Sequence, residues 1–305
     1  MNPVLPAQRH PTHRVLRQVI AQLQFWVVQE PFEPLPQAQR VGDRAAQLAG
    51  RQSLRTRRFD PLPDRLQPRP GVLLAYAEAK VGGTFVRIGV GVLKKPEEPR
   101  FDQFETYEIV DNGKWSVKAS VDAVEFTQEL ADPSSGYAYL YKKTVCLARN
   151  EPRLIIEHSL KNTGAKTIET NVYNHGFFVI DGQPSGPDFT VKFPFDVQAL
   201  ADLHGLAEVQ GRELHYLREL QPEGESVHTQ LTGFGDSPRD FDFRVENRKT
   251  GAGVHVAGDR PLWKIDFWSI RTTVCPEEYI NMKIEPGKES EWRITYDFYV
   301  LPQAR

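Results

Sequence analysis

From about residue 71 to its end, the sequence predicts an all-β fold of many antiparallel strands, closed as a sandwich or a barrel. Three observations carry this. Apolar and polar residues alternate in one run after another, the period of a strand with one buried face. Gly, Pro and Asn clusters separate the runs. No segment after residue 70 holds a long helical period, and no unit of roughly 20–50 residues repeats, which argues against a propeller or a solenoid. At 305 residues the chain is long enough to bury a sizeable core.

Taken in order, residues 104–117 and 123–130 alternate as strands. Residues 137–147 and 154–160 read as two strands joined by the turn Ala148-Arg149-Asn150-Glu151-Pro152. Asn162-Thr163-Gly164 is a second turn, followed by a strand over 167–180. Residues 200–206 supply at most one short helix. Residues 242–256 form a hairpin closed around Lys249-Thr250-Gly251, and 263–273 and 291–300 are long strands. Gly82-Gly83 and the pair Gly89 and Gly91 fall in strand-like sequence, where they mark bends or bulges rather than a phosphate cradle.

The first 70 residues differ in character. They hold 11 Arg and no Lys, and 10 of the chain's 23 prolines; 14 Lys follow from Lys80 onward. Residues 15–28 have apolar side chains at helical spacing, but prolines on the C-terminal side interrupt any longer element. The expected organisation is therefore a poorly ordered or atypical Pro- and Arg-rich segment over 1–70 and a β domain over 71–305. The segment lacks the apolar run and small-residue cleavage site of a signal peptide. No window approaches the ~20 apolar residues of a membrane-spanning helix. A net charge of −2 implies no basic face for nucleic acid. Cys146 and Cys275 lie far apart, without the clustered spacing of a metal site or a disulfide framework, and are expected as two separate buried thiols.

The chain carries no phosphate loop, no G-x-G-x-x-G, no HExxH and no G-x-S-x-G elbow. Two places remain. In Tyr173-Asn174-His175-Gly176-Phe177-Phe178, a histidine between Asn and Gly marks relaxed backbone with a polar group exposed to something. Its imidazole suits proton transfer near neutral pH, or serves as an ordinary satisfied histidine. His158, in mid-strand, reads as structural. The second place is 268–279, with Trp268, Arg271, Glu277 and Glu278. Adjacent carboxylates on a strand point to opposite faces, so one of Glu277 and Glu278 can share a cavity with Trp268 or Arg271. These groups fit an aromatic platform with sugar-binding polar groups, or an edge-strand charge pair.

At these places the sequence resembles the galactose mutarotase (aldose 1-epimerase) superfamily. Asn174-His175-Gly176-Phe177-Phe178 is similar to the family's Asn-His-x-Tyr-Phe motif. Thr250-Gly251, Asp259-Arg260-Pro261 and Trp268 follow in the family's order. Cys275-Pro276-Glu277 resembles the carboxylate strand, and Glu285-Pro286-Gly287 the closing turn. Over roughly 80–300, the resemblance implies a large antiparallel β-sandwich, the galactose mutarotase-like supersandwich. It also implies a sugar or oligosaccharide ligand, His175 as general acid, Glu277 as general base, and a reaction needing neither metal nor organic cofactor. Asn174, Trp268 and Arg271 would bind substrate. A non-catalytic carbohydrate-binding domain on the same fold is the alternative. Two departures stand out. The family's upstream active-site histidine has no counterpart in 107–115, and its arginine has only Arg87, Lys94 or Lys95 as candidates. The family's first strands would fall where the Pro- and Arg-rich segment lies, with Arg57-Arg58-Phe59-Asp60 as a remnant. Part of that N-terminal region is therefore expected to be missing or altered.

Overall fold

The computed structural model describes residues 73–98, 100–101 and 105–302. The expectations for residues 1–70 lie outside the described residues. The strands run β1 (Thr84–Arg87), β2 (Gly91–Lys94), β3 (Ile109–Asp111), β4 (Lys114–Ala119), β5 (Ala123–Asp132), β6 (Tyr137–Leu147) and β7 (Arg153–Asn162). They continue as β8 (Ile168–Val172), β9 (Phe189–Lys192), β10 (Gln198–Ala199), β11 (Ala207–Gln210), β12 (Glu213–Tyr216) and β13 (Ser226–Thr232). After a 3-10 turn at Pro238–Asp240 come β14 (Asp242–Asn247), β15 (Ala252–Gly258), β16 (Lys264–Ile270), β17 (Thr273–Ile284) and β18 (Glu289–Val300).

These strands form three sheets, with orders β1-β2-β3, β10-β13-β16-β17-β8 and β11-β12-β9-β14-β15-β18-β7-β6-β5-β4. The five- and ten-stranded sheets face each other across one hydrophobic core. Ile265, Phe267, Val274 and Ile280 of the smaller sheet belong to the same buried cluster as Ile156, Val254, Ile294 and Phe298 of the larger. Tyr216 donates to the Ser269 hydroxyl across the layers, at 2.6 Å. The protein is an all-β antiparallel sandwich. The alternation read from the sequence is what builds it: in β18, Trp292, Ile294, Tyr296 and Phe298 are buried while Glu291 and Arg293 are exposed. Fully burying one such side chain contributes about 2 kcal/mol.

The turns at 148–152 and around Lys249-Thr250-Gly251 fall where the sequence puts them, between β6 and β7 and between β14 and β15. Gly91, just before the register shift between Val92 and Leu93 that joins β2 to β3, has φ +156°, and a Cβ there would come within 2.5 Å of the Asp111 carbonyl oxygen. Other expectations need correction. The run 104–117 is not one strand: the turn at Asn112-Gly113 sends β3 to the three-stranded sheet and β4 to the large one. Residues 200–206, allowed at most one short helix by the sequence, hold none, within that limit. His204 takes a left-handed φ of +52° and its N–H bonds the Asp202 carboxylate, closing a tight turn instead. The strand expected over 167–180 stops at Val172 and touches its partner again only at Phe178.

Candidate active site

Strands β16 and β17 set the two faces of the small sheet. Trp268 is paired with Cys275, Asp266 with Glu277 and Lys264 with Tyr279, so these six share one face. The intervening pairs, Ser269 with Val274, Phe267 with Pro276 and Ile265 with Glu278, share the other face, which is the core. Glu277 therefore stands among aromatic and polar groups, whereas Glu278 is driven into the sandwich. Burial holds the Glu278 carboxyl well above the usual carboxylate range.

His175 reaches this face through a gap in the sheet. Val172 pairs with Ile280 and Phe178 with Val274 in one continuous register, which sets His175 opposite Glu277 and Tyr173 opposite Tyr279. Between those two pairs the ladder is absent, for a reason written in β17. Val274 exchanges two hydrogen bonds with Phe178, at 2.9 and 3.1 Å, so alternate N–H groups of β17 point toward this neighbour. At 276 the residue is proline and has no N–H to give. At 278 the N–H turns to its own carboxyl. Gly176 N–H closes locally on the Asn174 carbonyl, at 2.9 Å.

The side chains converge at this gap. His175 Nδ1 lies 3.0 Å from Cys275 Sγ and His175 Nε2 lies 3.3 Å from Glu277 Oε1. Cys275 Sγ also lies 3.8 Å from Glu277 Oε1, and burial pushes the Cys275 thiol far up. Tyr279 O–H donates to the other oxygen, Glu277 Oε2, at 3.2 Å. Burial, and then the Asp266 carboxylate, push Glu277 up to about 7, against the Tyr279 hydroxyl, Lys264 and Cys275. Burial also lowers the His175 pKa. Burial thus disfavours the charged form of each partner. The imidazole stacks on Phe177 (4.1 Å between centroids), Trp268 meets both rings edge-on, and Tyr173 stacks on Tyr279 at 4.2 Å. Lys264 bonds Asp266 and lies 4.0 Å over the Tyr279 ring. The His175 side chain is 31% exposed and that of Glu277 11%, so the pair is reached from the imidazole side.

The other residues singled out in the sequence lie elsewhere. Asn174 turns to the core side, where it bonds the Tyr296 hydroxyl and leaves its buried Nδ2 without a hydrogen-bond partner among the described residues. Arg271 stands in the β16–β17 turn and is ion-paired with Glu219 at 2.6 Å. Among the candidates for the family's arginine, Lys94 pairs with Glu108 and Lys95 caps the Tyr76 and Ala79 carbonyls, while the charge of Arg87 reaches Tyr173. Sequence reasoning missed Cys275, Tyr279 and Asp266 as neighbours of the pair. The two-residue period carries Cys275 and Tyr279 with Glu277, and Asp266 with Trp268, while the β16–β17 pairing brings the two sets together. The sequence separation of Cys275 from Cys146 says nothing of its surroundings, and the fold sets it beside a histidine a hundred residues away.

No family model and no curated protein matches the chain. Among solved structures it is similar to an aldose epimerase homologue from C. elegans, at 15% identity and a TM-score of 0.47, over 62% of this chain and 69% of that one. It is also similar to a galactose mutarotase related enzyme from Lactobacillus acidophilus, at 15% identity and a TM-score of 0.44, over 64% and 74% of the two chains. A galactose mutarotase-like protein from Clostridium acetobutylicum matches at 14% identity and a TM-score of 0.46, over 72% and 76%. At such values no residue's role follows from the likeness.

Proposed function

We propose that the protein acts on the anomeric centre of an aldose, with His175 and Glu277 as its proton-transfer pair. The observation that carries this reading is the 3.3 Å contact of a part-exposed imidazole and a carboxylate with raised pKa, walled by Phe177, Trp268, Tyr173 and Tyr279. Anomeric interconversion needs one acid and one base and no further reagent. Protonated His175 gives its proton to the ring oxygen while Glu277 takes the proton of the anomeric hydroxyl. The ring C–O bond breaks, the aldehyde rotates, and closure on its other face returns both protons. In this proposal Trp268 is the sugar platform. Asn174 and Arg271, engaged with Tyr296 and Glu219, keep positioning roles.

A second reading, a non-catalytic carbohydrate-binding domain, is favoured by one detail: His175 and Glu277 bond each other, so a sugar has to part them. Both readings meet in one experiment. With a broad aldose panel, the wild-type protein is expected to speed anomeric interconversion, and His175→Ala and Glu277→Gln each to lose on the order of 10²-fold. No acceleration, together with saturable oligosaccharide binding weakened by Trp268→Ala, selects the second reading; neither effect removes both.

A further inference from the structure

The same corner of the small sheet gathers three donors of different chemistry. One atom each from His175, Cys275 and Glu277 lies within 4.8 Å of the others, the one such group of three among the described residues. Cys275 Sγ stands 3.0 Å from His175 Nδ1 and 3.8 Å from Glu277 Oε1. In a tetrahedral zinc site, with Zn–S of about 2.3 Å and Zn–N or Zn–O of about 2.0 Å, donor atoms stand roughly 3.3–3.6 Å apart. The three donor atoms lie within 4.8 Å of one another, and Cys275 and Glu277 stand at different ring nitrogens of His175, so an ion draws the Glu277 carboxylate and one imidazole nitrogen closer together. We infer that His175, Cys275 and Glu277 form a binding site for a thiophilic divalent cation of the zinc class.

The donor set selects the class of ion. A thiolate is soft, an imidazole borderline and a carboxylate hard, a mixture suited to Zn2+ and Co2+ and unsuited to Mg2+ or Ca2+, which prefer oxygen alone. The frame is favourable as well. Cys275 and Glu277 are alternate residues of one strand paired along its length with β16, so their spacing is set by the backbone. Tyr279 holds Glu277 by Oε2 and leaves Oε1 for the ion, and the Phe177 ring supports the imidazole. Three protein ligands with a part-exposed imidazole leave the fourth position toward solvent, the pattern of an open rather than a structural zinc site. On binding, the Cys275 thiol becomes a thiolate bonded to the ion and its proton leaves to solvent, so binding weakens as pH falls. This inference rests on donor geometry and not on the sugar reading. The occupied site would occupy the groups that reading needs free, so Zn2+ would suppress anomeric turnover.

The test is titration of the metal-stripped full chain with Co2+ and Zn2+. Expected are a thiolate-to-cobalt charge-transfer absorption saturating at one equivalent, release of a proton, and bleaching of the band by Zn2+. Cys146→Ser is expected to keep the band, Cys275→Ser to lose it, and Glu277→Gln to weaken binding at least about tenfold. Thermal melts check that each variant folds, and X-ray absorption at the zinc edge of the wild-type protein reads the ligands without any substitution, with one sulfur expected. A missing band, a band that survives Cys275→Ser, or zinc bound without sulfur overturns the inference. None of these outcomes depends on turnover, so the anomeric proposal stands or falls separately.

Discussion

His158 shows how costly a single buried polar group is and how the fold contains it. It is 6% exposed, its ring lies parallel to Trp292 at 4.6 Å, and its Nδ1 bonds the Tyr141 hydroxyl at 2.9 Å, while Nε2 is buried without a partner among the described residues. Burial, and then the charge of Lys143 on the paired strand, lower its pKa from 6.5 to about 3. The folded protein thus keeps His158 neutral where the unfolded chain protonates it. Stability falls as pH drops from about 6.5 toward 3, by on the order of 4 kcal/mol at the full extent. His158→Phe keeps the stack and removes the proton acceptor. Urea unfolding at pH 7 and pH 4 is expected to show a smaller loss in the variant, and equal losses would clear His158 of this role. The histidine's structural character is legible in the sequence, since mid-strand alternation points it inward. Its aromatic partner, over a hundred residues away, is not.

Among elements, the turn at Asn162 joins parts of three strands. Its buried Nδ2 donates to the Lys166 and Ile284 carbonyls, both at 2.8 Å, and its Oδ1 accepts from Gly164 N–H. Its backbone also exchanges hydrogen bonds with the 287–288 turn. One side chain thereby ties the end of β7 to the end of β17 and the start of β18. Asn162→Ala leaves two carbonyls unpaired, and a loss of about 3 kcal/mol is expected in chemical denaturation; a loss below about 1 kcal/mol would show that water replaces the amide. The Asn-Thr-Gly turn is plain in the sequence. Its long-range ties to Ile284 and the 287–288 turn are not, because a turn signal names the local bend and says nothing of what docks on it. The division of 104–117 between two sheets was missed for a related reason. Alternation continues through the turn, and only pairing shows that β3 and β4 have different neighbours.

At the scale of the molecule, sheet order departs widely from chain order. β7 pairs with β18, and β8 with β17, so strands from early in the domain close against its last two. Long loops must close before such pairings stabilise anything, which makes folding slow. Refolding by dilution from denaturant is expected to take about seconds or longer, and sub-millisecond recovery of native fluorescence would contradict the topology. The all-β class follows from periodicity alone. Alternation also sets Cys275, Glu277 and Tyr279 on one face of β17, but Trp268 joins them only through the β16–β17 turn, which pairs it with Cys275. The rest depends on which strand lies beside which, and a single sequence carries that only through the turns that happen to be tight.

The missing rungs between Val172 and Phe178 make the candidate cleft mechanically unequal. Its β17 side is a stiff jaw, anchored residue by residue to β16. The 173–177 side is compliant, since moving it breaks no rung of the sheet. Admitting a guest therefore costs a few side-chain contacts rather than sheet structure. Discrimination between guests would come from the stiff jaw and tolerance of their size from the compliant one.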